Sequence, residues 1–328
     1  MSATYLVTGA AGFIAANVVR MLLDAGHEVV GIDNLNDAYD PTLKRWRLAQ
    51  LTGRQAFRFY EVDICECSAL EPVFAERQAA PFAAVVNLAA RAGVRPSVDD
   101  PWPYFRTNAE GCLNLLDLCR RYDVAKFVLA STSSLYGSHN AVPFREEDDT
   151  NRPLSPYAAS KKAAEAIAFS YHHLHQIDVS ILRYFTVYGP AGRPDMSVFR
   201  FVRQIAEGEP ITVFGDGTQQ RDFTYVDDIA RGTIAALKPL GYEVINLGGD
   251  RPVELNAVIQ QIAELVGRQP VIQSRPAHAA DVPATWAAIE KARSLLGWSP
   301  QITVEQGLRS CVEWYRWNRS MAREIGLC

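Results

Sequence analysis

A tyrosine and a lysine four positions apart, Tyr157 and Lys161, carry the most informative chemistry in this sequence. On a helix, residues i and i+4 share a face, so the phenol and the ammonium would point the same way. The unperturbed pKa of a tyrosine is about 10. A lysine together with a cationic cofactor would lower that pKa and make Tyr157 a usable base. The same spacing also begins ordinary amphipathic helices, so its meaning depends on the elements around it.

A glycine-rich turn near the amino terminus predicts a dinucleotide site. Residues 4–8 read as a short strand, Gly9-x-x-Gly12 follows, and an amphipathic helix and a second strand lead to Asp33. Gly9 allows a tight turn, Gly12 lets the backbone approach a pyrophosphate, and the helix amino terminus adds N–H donors. Asp33 can accept hydrogen bonds from a ribose and would repel a 2′-phosphate, which favours NAD over NADP.

A run of hydroxyl side chains, Ser131-Thr132-Ser133-Ser134, precedes the tyrosine and lysine. It follows an apolar stretch, residues 126–130, that reads as a buried strand. The sequence contains no Gly-x-Ser-x-Gly turn, so a hydrolase triad is not supported. A hydroxyl, a phenol and a lysine beside a nicotinamide suit hydride transfer at a carbinol carbon. The alternative is a simple Ser/Thr-rich turn.

Strand and helix patterns alternate up to about Tyr184, with one long helix expected over about 103–122. Repeated units of this kind predict an α/β fold with a doubly wound parallel Rossmann sheet, whose ligands bind at the carboxyl ends of the strands. Beyond that point Gly and Pro become frequent, which indicates a smaller mixed lobe. We expect an NAD-binding Rossmann domain at residues 1–187 and 222–249, and a C-terminal lobe at residues 188–221 and 250–328 that covers the ligand edge of the sheet.

Composition excludes several classes of partner. The 328 residues are 48% hydrophobic and carry a net charge of −4, so neither nucleic acid nor a membrane surface is an expected partner. No apolar run approaches the roughly 20 residues of a membrane span, and the start has no signal-peptide pattern. Six scattered cysteines indicate reduced thiols in a cytoplasmic protein. The histidines of His172-His173-x-His175 do not converge on one face, so no metal site is expected.

Four ordered motifs resemble those of the extended short-chain dehydrogenase/reductase family. They are Thr-Gly-Ala-Ala-Gly-Phe-Ile at 8–14, the hydroxyl run at 131–134, Tyr157-x-x-x-Lys161, and Arg-Asp-Phe-Thr-Tyr-Val at 221–226. The resemblance covers nearly the whole chain. Within the family, the chain is similar to the nucleotide-sugar 4-epimerases, and segments 36–45 and 182–196 resemble the branch that acts on UDP-glucuronate. Galactose-type epimerases usually carry Asn where this chain has Thr186, and a smaller hydroxyl residue leaves room for a C5 carboxylate.

The resemblance implies an isomerase that converts UDP-glucuronate to UDP-galacturonate through a 4-keto intermediate. The hydride passes to tightly held NAD and returns to the opposite face of the sugar, while Tyr157 removes and returns the 4-OH proton. The nearest alternative is a UDP-glucuronate decarboxylase or a sugar dehydratase of the same fold. Those enzymes usually carry an acid in the hydroxyl run, where this chain has Ser133 and Ser134. A remoter alternative is a non-catalytic NAD-binding sensor, but such proteins typically lack the tyrosine and lysine.

The resemblance also assigns site residues and an oligomeric state. Those predicted for catalysis are Tyr157, Lys161, Thr132 and Ser133. Those predicted to bind the UDP-sugar, with arginines for its diphosphate, are Ser134, Thr186, Arg95, Arg193, Arg221 and Asp281. Those predicted to bind the cofactor are Gly9, Gly12, Phe13, Ile14, Asp33, Asn34, Asp63, Ile64, Ala89, Asn108, Tyr157, Lys161 and Tyr184. A homodimer that pairs the helices around 103–121 and 157–175 is implied as well.

Overall fold

Strands and helices alternate along the described residues, 2–276 and 282–327, of the structure, which is a computed structural model. The strands are β1 (Thr4–Thr8), β2 (Glu28–Asp33), β3 (Phe57–Glu61), β4 (Ala84–Asn87), β5 (Lys126–Thr132), β6 (Asp178–Tyr184), β7 (Thr186–Tyr188), β8 (Ile211–Phe214), β9 (Gln220–Tyr225), β10 (Tyr242–Leu247), β11 (Pro252–Glu254) and β12 (Ile272–Arg275). The helices are α1 (Phe13–Asp24), α2 (Thr42–Ala49), α3 (Cys67–Ala75), α4 (Pro96–Asp99), α5 (Trp102–Phe105), α6 (Gly111–Arg121), α7 (Pro156–His175), α8 (Ser197–Glu207), α9 (Val226–Ala235), α10 (Leu255–Val266), α11 (Val304–Trp317) and α12 (Arg319–Ala322).

Seven parallel strands form the central sheet, in the order β10-β6-β5-β4-β1-β2-β3. The chain builds outward from β1 to β3 in one direction and from β4 to β10 in the other, so the order reverses between β1 and β4. In open sheets of this type, ligands bind at such a reversal, outside the carboxyl ends of the strands. The doubly wound α/β fold predicted from the sequence is confirmed.

Helices bury both faces of this sheet. On one face α1 and α9 pack over residues such as Val7, Leu182 and Ile245, and on the other α3, α6 and α7 pack over a second cluster that includes Leu6 and Phe127. Strand β5 is buried along its whole length. Burial on both sides explains why these strands read as continuous apolar runs in the sequence.

A third apolar cluster forms the core of the C-terminal lobe. It joins α8, α10 and α11 around residues such as Val202, Ile262 and Tyr315. Two small sheets accompany it, one of order β11-β9-β7 and one that pairs β12 with β8. The proposed domain boundaries at 187/188 and 221/222 fall inside β7 and β9, so the three-stranded sheet connects the two parts of the chain.

The prediction of one long helix over about 103–122 is wrong in one respect. A π-helical segment, Arg106–Glu110, separates α5 from α6. It turns Asn108 inward, where the side-chain amide donates to the carbonyl oxygen of Arg91 at 3.0 Å and to Oγ of Ser160 at 2.8 Å. The widened turn therefore fastens this helix to α7, and π segments are often found at functional sites.

Three further properties of residues 2–276 and 282–327 concern disulfides, membrane-spanning helices and metal ligands. The five cysteines found there are free thiols. No helix in that part of the chain has the length and apolar character needed to cross a membrane. The same residues contain no group of histidine, cysteine and acidic side chains that could hold a metal ion.

Candidate active site

A cavity of about 340 Å³ lies along the carboxyl ends of the central strands. It collects most of the site residues predicted from the sequence, although these are spread over nearly two hundred positions. The predicted residues that line it are Gly9, Gly12, Phe13, Ile14, Asp33, Asn34, Asp63, Ile64, Ala89, Thr132, Ser133, Ser134, Tyr157, Lys161, Tyr184, Thr186 and Arg193.

The turn between β1 and α1 depends on two residues without side chains. Gly9 has φ +68°, and a Cβ there would lie 2.9 Å from the backbone of Ala89. A Cβ on Gly12 would lie 2.8 Å from the carbonyl oxygen of Gly9. No described side chain caps α1, which begins at Phe13 beside the cavity. The turn thus has the close backbone approach and the helix polarity that a pyrophosphate needs.

Two carboxylates lie near the part of the cavity that would hold an adenosine. Asp33, at the end of β2, accepts hydrogen bonds from two backbone N–H groups at 3.1 and 2.8 Å. Burial raises its pKa, and Lys44, whose Nζ lies 4.0 Å from Oδ1, opposes that rise. Asp63 accepts a hydrogen bond from Nδ2 of Asn34 at 2.7 Å. Both acids are therefore fixed acceptors that fit the hydroxyls of a ribose and the edge of a base.

Helix α7 presents Tyr157 and Lys161 to the cavity from its first two turns. The helix begins after Ser155, whose Oγ accepts a backbone N–H at 3.2 Å and so caps it. The N–H of Tyr157 donates to Oγ of Ser97 at 3.1 Å, and Nζ of Lys161 donates to the carbonyl oxygen of Ala130 at 2.8 Å. The helix is thus held at the end of β5, next to the hydroxyl run.

Burial dominates the titration of this pair. It raises the pKa of Tyr157, while a hydrogen bond with Thr132 and the charge of Arg193 lower it. Burial also lowers the pKa of Lys161 to about 8, although nearby acidic groups oppose the change. The lowered tyrosine pKa expected from the sequence is not produced by the protein groups, because the net direction is upward. A cationic nicotinamide is the remaining charge that would favour the phenolate.

Uncharged hydroxyls line the cavity beside Tyr157. The turn that follows β5 is a short 3-10 helix with Thr132 as its N-cap, whose Oγ1 accepts the N–H of Ser134 and donates to Oγ of Ser134, both at 3.1 Å. Ser133 lies in the same turn, and Thr186 begins β7. Hydroxyls can bind an anion by donating hydrogen bonds without adding negative charge of their own.

One predicted arginine reaches the cavity. Arg193 donates to the carboxylate of Asp195 through Nε at 3.0 Å and a terminal nitrogen at 2.6 Å, and also to the carbonyl oxygen of Ala92 at 3.1 Å. These bonds fix the direction of the guanidinium, whose planar form matches a phosphate.

Three further predicted residues, Arg95, Arg221 and Asn108, are not part of the cavity lining. The guanidinium of Arg95 stacks on the ring of Phe214, 3.8 Å from its centroid. Arg221 donates to the carbonyl oxygen of Gln220 at 2.8 Å. Asn108 is turned into the protein by the π segment. Asp281 is outside the described residues.

The cavity also contains residues that were not among the predicted site residues, although they lie in the segments 36–45 and 182–196, among them Tyr39, Lys44 and Met196. Lys44 is buried on α2 between Leu43 and Arg47, which are buried too. A lysine within the buried face of a short helix was the available signal, because a buried ammonium requires a nearby partner.

Comparison with known proteins agrees with this geometry. The model of the NAD dependent epimerase/dehydratase family matches residues 5–248, well over half of the chain. The chain belongs to this family. Its fold and family, predicted from the four sequence motifs, are confirmed.

Relatives within the family match over nearly their whole length. The UDP-glucuronate 4-epimerase of Thermodesulfobacterium geofontis is 53% identical, over 98% of each chain. The crystal structure of the UDP-glucuronic acid 4-epimerase of Bacillus cereus, in complex with UDP-glucuronic acid and NAD, has a TM-score of 0.89 and 36% identity, over 96% of this chain and 99% of that one. The UDP-glucose 4-epimerase of Thermotoga maritima, with UDP-glucose, has a TM-score of 0.87 and 32% identity over the same shares.

Proposed function

We propose that the protein is an isomerase that interconverts UDP-glucuronate and UDP-galacturonate by NAD-dependent epimerisation at C4. The observation that carries this proposal is the placement of Tyr157 and Lys161 beside a wall of uncharged hydroxyls, in one cavity with the glycine turn. The relatives described above, one of which was crystallised with UDP-glucuronic acid and NAD, support the same reaction.

The residues at the glycine turn, together with Asp33 and Asp63, fit NAD. A Cβ at Gly9 would press against the backbone of Ala89, and one at Gly12 against the carbonyl oxygen of Gly9, so the turn keeps its shape only with glycine at both positions. Bound NAD supplies a hydride acceptor, which is also the donor that returns the hydride. Tyr157 removes the 4-OH proton and gives it back after the keto sugar has turned over in the cavity. Lys161, held by the carbonyl oxygen of Ala130, keeps a positive charge near the phenol.

The hydroxyl wall answers a problem specific to this substrate. The 4-keto intermediate is a β-keto acid, which loses CO₂ readily when its carboxylate stands perpendicular to the carbonyl plane. An acidic side chain beside that carboxylate would repel it, whereas hydroxyls hold it by donated hydrogen bonds. We assign the carboxylate and the 4-OH to Thr132, Ser133, Ser134 and Thr186.

The nucleotide end of the substrate faces the C-terminal lobe in this proposal. Arg193 binds the diphosphate, because its guanidinium reaches the cavity and is aligned by Asp195. On the resemblance of their motifs we also assign Arg95, which stacks on Phe214 of the lobe, and Arg221 to the diphosphate site. Asp281 is assigned to the uridine ribose. The division into residues 1–187 with 222–249, and 188–221 with 250–328, follows the two ends of the substrate.

The protein also forms a homodimer in this proposal, through α6 and α7. These helices leave large apolar side chains at the surface, with Leu113 exposed by 41%, Phe169 by 51% and Leu174 by 68%. Phe105, just before the π segment, is exposed by 40%. Apolar surface concentrated on two adjacent helices is typical of a subunit contact.

A time course followed by ¹H NMR tests the reaction. Purified protein and NAD are incubated with UDP-glucuronate, and the anomeric signals are recorded until they stop changing. We expect UDP-galacturonate to appear and the mixture to reach the same ratio from either sugar. A UDP-pentose with release of CO₂ would show a decarboxylase instead, and loss of water would show a dehydratase.

A further inference from the structure

A buried ion pair lies directly below the catalytic lysine. Glu165 is four residues after Lys161 on α7, so the two side chains share a helix face. The carboxylate of Glu165 accepts a hydrogen bond from Nε of Arg183 at 3.0 Å and another from a terminal nitrogen of Arg183 at 2.9 Å. The two side chains are exposed by only 5% and 4%. Because water hardly reaches these side chains, it weakens their charges little. Each charge therefore interacts strongly with the groups close to it.

The same carboxylate also holds the strand that carries the hydroxyls. Oγ of Ser131 donates to Oε1 of Glu165 at 2.6 Å. Ser131 immediately precedes Thr132, and in the sheet register it is opposite Arg183 on β6. Glu165 therefore fixes the ends of two adjacent strands against the helix that bears Tyr157 and Lys161.

From Arg183 the bonds continue towards the C-terminal lobe. A terminal nitrogen of Arg183 donates to the phenolic oxygen of Tyr136 at 3.0 Å, and that phenol donates to Oδ1 of Asn246 at 2.6 Å. Asn246 in turn donates to the carbonyl oxygens of Phe144 at 2.9 Å and Ala288 at 3.3 Å. The pair thus connects α7 to the segment of the lobe that returns to the central sheet.

Charged and titratable groups around Lys161 come from each element packed on it. They are Glu165 on α7 and Cys112 on α6, while the Ala130 carbonyl of β5 accepts a hydrogen bond from the ammonium. Arg183 on β6 follows behind Glu165 as its ion-pair partner. The thiol of Cys112 is fully buried and its pKa is raised to about 12, so it carries no charge near neutral pH. Glu165 is consequently the carboxylate whose charge acts on the lysine, and Arg183 is the charge that balances it.

We propose that Glu165 and Arg183 are positioning residues for the epimerisation. They keep the Ser131–Thr132 end of β5 in contact with the Tyr157–Lys161 face of α7, and they balance each other's charge beneath the lysine. This inference rests on the proposed function for its kinetic part and on the geometry for its electrostatic part.

Titration of Lys161 tests the electrostatic part without any substrate. The chain has six lysines, so [ε-¹³C]lysine labelling gives a short spectrum in which Lys161→Arg identifies the signal. From a wild-type pKa of about 8, we expect Glu165→Gln to lower the lysine pKa and Arg183→Met to raise it, each by about one unit. The double variant should return to within a few tenths of a unit of the wild type, because both charges are gone.

A purely structural role would not give opposite shifts. Single variants that move the pKa of Lys161 in the same direction, or that leave it in place, overturn the charge balance. Asp178→Asn is the matched control, because Asp178 and Lys126 form a buried pair at the other end of the same two strands. It should lower the melting temperature and leave the titration of Lys161 unchanged.

Kinetics test the positioning part. In the folded double variant, kcat for UDP-glucuronate should fall about tenfold or more while KM changes less than about threefold, because the reacting groups and not the nucleotide are displaced. A double variant with wild-type kcat overturns the proposal.

Removing one partner of a buried pair can prevent folding. If neither single variant folds, the double variant and Ser131→Ala decide the question. Ser131→Ala should lower kcat about threefold and leave the Lys161 titration in place, and an unchanged kcat would contradict it. A chain that acts on another sugar nucleotide would still show the opposite shifts, so failure of the proposed function remains distinguishable.

Discussion

Tyr157 acts through its phenolic oxygen in the proposed mechanism. Tyr157→Phe removes that oxygen alone and therefore tests its role directly. The substitution keeps the ring and its contact with Tyr104 but removes the group that accepts the 4-OH proton. We expect kcat for UDP-glucuronate to fall by about a thousandfold and the affinity for NAD to change little. The NMR time course measures the first quantity and isothermal titration calorimetry the second.

Tyr60→Phe is the control for that variant. Tyr60 is on the outer strand β3, and its phenol donates to the exposed Glu76 at 2.7 Å, away from the cavity. It should keep wild-type kcat. Near-normal turnover in Tyr157→Phe would remove the tyrosine from the mechanism.

Thr186 is where the chain distinguishes a carboxylate from a hydroxymethyl group in our proposal. Thr186→Ala removes a hydrogen bond to the carboxylate, and we expect KM for UDP-glucuronate to rise about tenfold. A looser carboxylate should also allow some decarboxylation, visible as a UDP-pentose in the NMR spectrum. Thr212→Ala, on β8 of the lobe, is the control. An unchanged KM together with a pentose-free spectrum would contradict the assignment.

Residues whose function depends on local spacing were accessible from the sequence, and residues whose function depends on packing were not. Tyr157, Lys161 and the glycine turn are defined by spacing within one helix or one turn, and all of them line the cavity. Asn108 was assigned to the cofactor by the family resemblance, but the π segment rotates it into the interior. Lys44 is in the cavity because α2 packs with that face inward, which local spacing does not reveal.

At the level of elements, the carboxylate of Glu207 joins the end of α8 to α12, and its pKa lies well below the usual value for a glutamate. Glu207 accepts two hydrogen bonds from Arg319 at 2.8 and 2.9 Å and one from Tyr315 at 2.8 Å. The bonds from Arg319 contribute most to a lowering of its pKa to about 2. The folded pKa is below the ordinary glutamate value of 4.5, so the ionised carboxylate stabilises the fold fully above that pH.

Glu207→Gln should accordingly reduce the free energy of unfolding at pH 7 by about 1 kcal/mol, since solvent screens a partly exposed pair. The difference from the wild type should shrink as the pH falls from 4.5 towards 2. Urea unfolding followed by circular dichroism at several pH values measures it. Glu305→Gln breaks an exposed pair with Arg309 and should have no measurable effect. A Glu207→Gln deficit that stays constant down to pH 2 would contradict this account.

The inner strands of the central sheet were predictable because β1, β4 and β5 are rich in apolar residues and buried over nearly every residue. The short strands β7, β11 and β12 were not, since they contain three or four residues each and exist through pairing with distant partners. The break between α5 and α6 was equally hidden, because residues 106–110 have ordinary helix-compatible side chains.

For the whole molecule, the proposed dimer gives a test that needs no activity. Leu113→Glu with Phe169→Glu places two charges on the exposed apolar face of α6 and α7, so we expect a monomer by size-exclusion chromatography with light scattering. Trp317→Glu changes an equally exposed residue, 82% accessible at the end of α11, and should leave the dimer intact. A wild-type protein that is monomeric at micromolar concentration would exclude the dimer.

The position of β10 at the edge of the sheet has a consequence for how the protein is made. Its partner β6 ends at Tyr184, but β10 begins only at Tyr242. Residues 188–221 of the lobe are therefore translated before β10 exists. At roughly 5–20 residues per second, a ribosome needs several seconds to deliver the missing strand. During that interval the nascent chain displays an unpaired parallel edge, which is a template for pairing with other chains. Synthesis is therefore the stage at which an edge of this sheet is most open to pairing with another chain.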